Sequence, residues 1–158
     1  MLDGAKKVFE MFPGIKGKIN LNLRPNVFLS DDLAETYEKS ITLNSICSRN
    51  LEELNEYLST TDVFCEESGP DTILIHELGH AICNYYKIPP LKIVYDIIGE
   101  NNLDRAFELV KSNISEYASW HKKGHEIISE CLVRYIKGSK NEFVLQIIEK
   151  CNKIISGR

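Results

Sequence analysis

The chain lacks a long apolar run, an excess of one charge sign and a cysteine framework, and each absence removes a class of function. No stretch approaches the roughly 18 apolar residues that a membrane span requires. The 19 Lys and Arg nearly balance the 23 Asp and Glu, for a net charge of −4. No basic surface for nucleic acid or for an anionic membrane is therefore expected. The cysteines (Cys47, Cys65, Cys83, Cys131 and Cys151) are odd in number and form no CxxC pair. They read as reduced thiols packed as small apolar side chains. The N-terminus, MLDGAKKVFEMFPG, has an early acid and an amphipathic pattern. A signal peptide would have a basic start and an apolar core, so a cytoplasmic protein is expected.

The 158 residues, 43% apolar and 27% charged, suit one soluble domain spanning 1–158. Residues 2–12 read as a helix stopped by Pro13-Gly14. KINLNLR (18–24) alternates Ile19, Leu21 and Leu23 with polar residues, and SITLNSI (40–46) alternates Ile41 and Leu43, so both predict half-buried strands. The second of these is a candidate edge for pairing with an extended peptide. A helix is expected over 50–58, opening at Asn50, and a loop over 60–69. From Pro70 the pattern is helical almost throughout: 70–86, 91–98, 103–112, roughly 122–137 and 140–155. The fold class is α+β, with short strands in the N-terminal half and helices in the C-terminal half.

HELGH, residues 76–80, is the motif that carries chemistry. At about 100° per helical residue, His80 falls about 40° from His76 and Glu77 about 100° away. Leu74, Leu78, Ala81 and Ile82 lie on the other side, toward the core. The two imidazoles thus stand one turn apart on a polar, solvent-facing side, within reach of one zinc ion at about 2.0–2.1 Å. Glu77 stands beside them as a general base for a zinc-activated water. A zinc-dependent hydrolase acting on a peptide or protein substrate is the expected function. The alternatives are a catalytically degenerate, metal-stabilised binding module and a helical interaction domain with an accidental HExxH.

Zinc in a hydrolase needs a third protein ligand. Gly and His at positions 83 and 86 would make a metzincin, but Cys83 and Tyr86 stand there. Glu100 has a spacing similar to that of thermolysin-like peptidases, within a turn-like GENN run. In SEYASWHKKGHEIISECLVRYI (115–136), Glu126, Glu130 and Arg134 share one edge of an amphipathic helix. Glu126 is the stronger ligand candidate there, with Glu130 one turn on as partner to a ligand histidine or as half of a Glu130–Arg134 surface pair. His121 and His125, in and beside HKKGH, are further candidates.

The order HELGHA, then S-E-Y-A, then E-I-I-S-E resembles the catalytic domain of anthrax lethal factor. It also resembles related small zincin domains, some carried by phage and other mobile elements. The resemblance covers about residues 70–137 and implies a minimal zincin-like fold and a zinc metallopeptidase. It implies zinc ligands at His76, His80 and Glu126, a general base at Glu77, and a metal-facing, oxyanion-stabilising tyrosine at Tyr117. Ser129 replaces the alanine of the family's E-x-x-A-E pattern. A weaker similarity joins the chain to phage-repressor-cleaving metallopeptidases, which share HELGH.

Overall fold

Periodicity and punctuation account for most of the helices in the computed structural model, which describes residues 2–24, 33–44, 52, 56, 71–122 and 124–157. α1 (Leu2–Met11) is followed by a 3-10 turn at Pro13–Ile15, where the ring of Pro13 fits a helical first turn. α2 (Thr72–Tyr86) carries HELGH, and Lys87 ends it in the left-handed region with φ 52°. α3 (Pro90–Ile98) opens on a proline and closes at Gly99. α4 (Leu103–Asn113) starts where the Asn102 side chain accepts from the Arg105 amide. The short α5 (Glu116–Ser119) is capped in the same way by Ser115. α6 (Glu126–Ile136) and α7 (Glu142–Ser156) follow, the latter capped by Asn141. Each cap satisfies one or two otherwise orphaned amides of a first turn.

The sheet has three strands among the described residues: β1 (Asn20–Arg24), β2 (Ala34–Tyr37) and β3 (Ser40–Asn44), in the order β1-β3-β2. β1 runs parallel to β3, with Leu21 level with Ile41. β2 runs antiparallel to it, with Thr36 level with Ile41. The class is α+β, as the pattern of elements implies.

Four details depart from the sequence reading. The strand at Ser40–Asn44 is the central one, not an edge, and the Glu38–Lys39 turn leads into it from β2, which the sequence did not announce. Leu21 is 48% exposed because α2 packs against β2 and β3, leaving β1 one strand beyond that cover. The helix expected from about residue 122 begins at Glu126. Before it, Trp120–Lys122 form a 3-10 turn, and Gly124 takes φ 77° with Leu91 packed where a Cβ would stand. The helix expected over 50–58 (apart from Glu52 and Glu56), the loop 60–69, Pro70, and Ser45 and Ile46 lie outside the described residues.

The core is one cluster built from Val8 and Phe12, Ile41 and Leu43, Ile75, Leu78 and Ile82, Ile127, Cys131 and Leu132, and Val144, Ile147 and Ile148. α2 runs through its middle, flanked by α1, α6, β2 and β3. Asp71 at its start is ion-paired with Lys137 just past the end of α6, so the two helices are tied at one end. Arg134 donates to the carbonyls of Asn113 (2.7 Å) and Ile114 (2.9 Å). These two bonds satisfy carbonyls at the C-terminal end of α4 and tie that end to α6. No helix among the described residues is long and apolar enough to cross a membrane.

Candidate metal centre

The spacing of HELGH places His76 and His80 one turn apart, and the tertiary fold then covers them. The face expected to meet solvent is largely buried: His76 and Glu77 are each 7% exposed. α6 closes over the imidazoles and β2 over Glu77. The crossing of α2 and α6 is close because residue 79 is glycine. A Cβ there would stand 2.6 Å from the Ser129 Cα, a backbone atom that no rotamer change can move. This close approach is the compensation for a mid-helix glycine that costs roughly 1 kcal/mol in helix propensity.

Across that crossing, three donors converge. His76 Nε2 lies 2.9 Å from Glu126 Oε2, His80 Nε2 lies 3.2 Å from the same oxygen, and the two nitrogens are 3.1 Å apart. Four ligands arranged tetrahedrally at about 2.0–2.1 Å from zinc stand about 3.3 Å from one another. The observed triangle is within a few tenths of an ångström of that edge length. Glu126 Oε2 is buried and makes no hydrogen bond of acceptable geometry, although two imidazole nitrogens are in range. The two imidazole nitrogens are within hydrogen-bond reach of each other, and all three atoms lie close enough together to hold one ion. The donor set of two imidazoles and one carboxylate suits zinc. Among the described residues this is the group able to hold a metal ion, and no fourth His, Cys, Asp or Glu joins it.

Neighbouring side chains orient these three residues. His76 Nδ1 donates to Glu130 Oε1 at 2.8 Å, which orients the ring so that Nε2 is turned to His80 and Glu126. Glu130 is fully buried. His125 Nε2 is 2.9 Å from Glu126 Oε1, so the carboxylate turns one oxygen to His125 and the other to the histidine pair. Burial works against the His76 imidazolium. The adjacent Glu126 carboxylate, the hydrogen bond to Glu130 and the charges of Glu130 and Glu77 outweigh it and lift its pKa to about 10. Burial likewise opposes ionisation of Glu126, but His76 and His80 outweigh it and hold that carboxyl well below the usual range.

Glu77 lies on the sheet side of His76. The Thr36 hydroxyl donates to Glu77 Oε2 at 2.5 Å and also lies 3.2 Å from the Glu77 carbonyl oxygen. Tyr117, from α5, places its ring 5.8 Å from that of His76 and 5.3 Å from that of Trp120, both between centroids. Glu100 stands exposed in the turn after α3, away from the cluster. His125 sits beside the ligand set, with its ring 6.3 Å from that of His80. The His121 side chain lies outside the described residues. Thr36 is the site residue that sequence reasoning missed. Its strand, AETY, carries no apolar alternation, so no local signal marks it.

No family model, curated protein or solved structure matches the chain. The functional reading therefore rests on the geometry of these residues.

Proposed function

We propose that the chain is a zinc-dependent metallopeptidase with His76, His80 and Glu126 as metal ligands and Glu77 as general base. The observation that carries this reading is the triangle of His76 Nε2, His80 Nε2 and Glu126 Oε2, with edges of 2.9–3.2 Å and a buried, unbonded carboxylate oxygen at one corner. Three protein donors also leave a fourth tetrahedral position open, as catalytic zinc sites do and structural ones do not. Zinc held there would lower the pKa of a water molecule toward about 7 and polarise a substrate carbonyl.

The chain's own residues supply the rest. Glu130 holds His76 in the required tautomer, and His125 keeps Glu126 to one metal-facing oxygen. Glu77 accepts the proton of the attacking water and passes it to the leaving amine. Tyr117, edge-on to His76, is the candidate donor to the developing oxyanion. β2 pairs on only its β3 side among the described residues. Its outer edge, next to Glu77, offers main-chain groups to an extended peptide.

Zinc per chain in the wild type, Glu126→Ala and Glu100→Ala tests the ligand set. Glu126→Ala loses the metal and Glu100→Ala keeps it. Full zinc in Glu126→Ala with loss in Glu100→Ala would reverse the assignment. Glu77→Gln is expected to bind zinc but to lose turnover of a peptide library. Wild-type turnover in that variant would remove Glu77 as the base.

A further inference from the structure

We infer that Thr36 is a positioning residue for the general base. Its hydroxyl proton fixes Glu77 Oε2, leaving Oε1 as the oxygen that takes the proton from water. The inference deepens the peptidase reading and rests on it. A threonine hydroxyl has a single proton, and it has two acceptors within range, both on Glu77: Oε2 at 2.5 Å and the main-chain oxygen at 3.2 Å. The shorter contact takes the proton, so the hydroxyl's bond goes to the carboxylate and not to the main-chain oxygen. The bond joins residues 41 positions apart, so the carboxylate orientation is set by the sheet and not by its own helix.

The geometry of β2 explains why this strand can do it. Thr36 is half-buried while Glu35 and Tyr37 on either side are exposed, as period-2 alternation requires. Thr36 therefore faces α2. Its backbone is held in register opposite Ile41, which is fully buried. A second tie, from Asn84 Nδ2 to the Glu38 carbonyl at 3.3 Å, fastens the β2–β3 turn to the last turns of α2. A glutamate has three side-chain torsions, and a base must be aimed to within fractions of an ångström to be effective. The hydroxyl restricts the carboxylate from a rigid, independent element.

The test compares Thr36→Val, which keeps the branched shape and removes the hydroxyl, with Thr36→Ser, which keeps the hydroxyl. Thr36→Val is expected to hold one zinc per chain like the wild type. Its kcat should fall by about tenfold or more, with KM within about twofold, and Thr36→Ser should recover most of the loss. Wild-type kcat in Thr36→Val, or a Thr36→Ser variant no better than Thr36→Val, would overturn the proposal. A melting-temperature cycle of Thr36→Val with Glu77→Ala provides a readout that needs no turnover. Coupled residues give shifts that do not add. If the wild type cleaves no peptide, that failure belongs to the peptidase reading alone. The cycle then decides the Thr36–Glu77 pairing, and additive shifts overturn it.

Discussion

His76 donates its Nδ1 proton to Glu130 Oε1 at 2.8 Å, and the accepting residue is wholly buried. A carboxylate placed behind a metal-ligating imidazole both orients the ring and increases its basicity. Glu130→Gln retains an acceptor but weakens it, and Glu130→Ala leaves the buried imidazole N–H without this partner. Zinc affinity is expected to fall by about 10–100-fold, more for the alanine, as measured by competition against a chelating dye. Unchanged affinity in Glu130→Ala would show that Glu130 serves packing only.

The α2–α6 crossing makes a second expectation. In Gly79→Ala the new methyl meets the Ser129 main chain at 2.6 Å, so the two helices must separate. Overpacking of this kind costs about 1–3 kcal/mol, against about 1 kcal/mol recovered in helix propensity. The proposed ligands sit on opposite sides of this crossing, so zinc affinity should fall further than stability does. Equal zinc binding by Gly79→Ala and wild type, measured by calorimetry, would contradict this.

Ser129 makes a third. Its hydroxyl is fully buried with no hydrogen-bond partner among the described residues, a desolvation cost of about 1–3 kcal/mol. Ser129→Ala removes the orphan and fills the same space. A gain of about 1 kcal/mol in denaturant unfolding is expected, with zinc content unchanged. A loss of stability would mean that the hydroxyl has a partner, such as an ordered water.

The pH dependence of stability should differ in sign with and without zinc. In chelator-treated protein the folded pKa of His76, about 10, lies above its unfolded value of 6.5. Its stabilising contribution is therefore complete below about pH 6.5 and is lost as pH rises through about 10. The folded pKa of Glu126 lies below its unfolded value of 4.5, so its contribution is present above that value and lost as pH falls through the lowered one. Both shifts describe the same interaction and count once. The metal-free melting temperature should hold between about pH 4.5 and 6.5 and decline above. Zinc needs His76 Nε2 unprotonated, so the zinc-induced rise in melting temperature should grow with pH over the same upper range. A zinc-induced shift that shrinks between pH 6 and 9 would contradict the ligand role of His76.

Local periodicity located most of the helices to within a few residues because each buries a stripe against the same core. Ile75, Leu78 and Ile82 in α2, and Ile127, Cys131 and Leu132 in α6, recur at helical spacing. β2 was not legible, since four residues with no apolar alternation become a strand only by pairing with β3. The burial of His76 and Glu77 was not legible either. A helical wheel separates polar from apolar faces, but it carries no information about what packs on the polar one. Here a buried glutamate and a threonine hydroxyl let a polar face enter the interior with its hydrogen bonds made.

By itself, the sequence determined the pairing of His76 with His80, because residues four apart in a helix must share a face, and it narrowed the third ligand to a few acids and histidines. Only the tertiary structure brings one of them up to the two imidazoles. Glu126 meets the two imidazoles because α6 crosses α2 where Gly79 has no side chain to hold Ser129 away. Glu100, nearer in sequence, is left in an exposed turn. The same is true of Thr36 and Glu77: their contact spans 41 positions and depends on the sheet lying against α2, which no local pattern in either segment encodes.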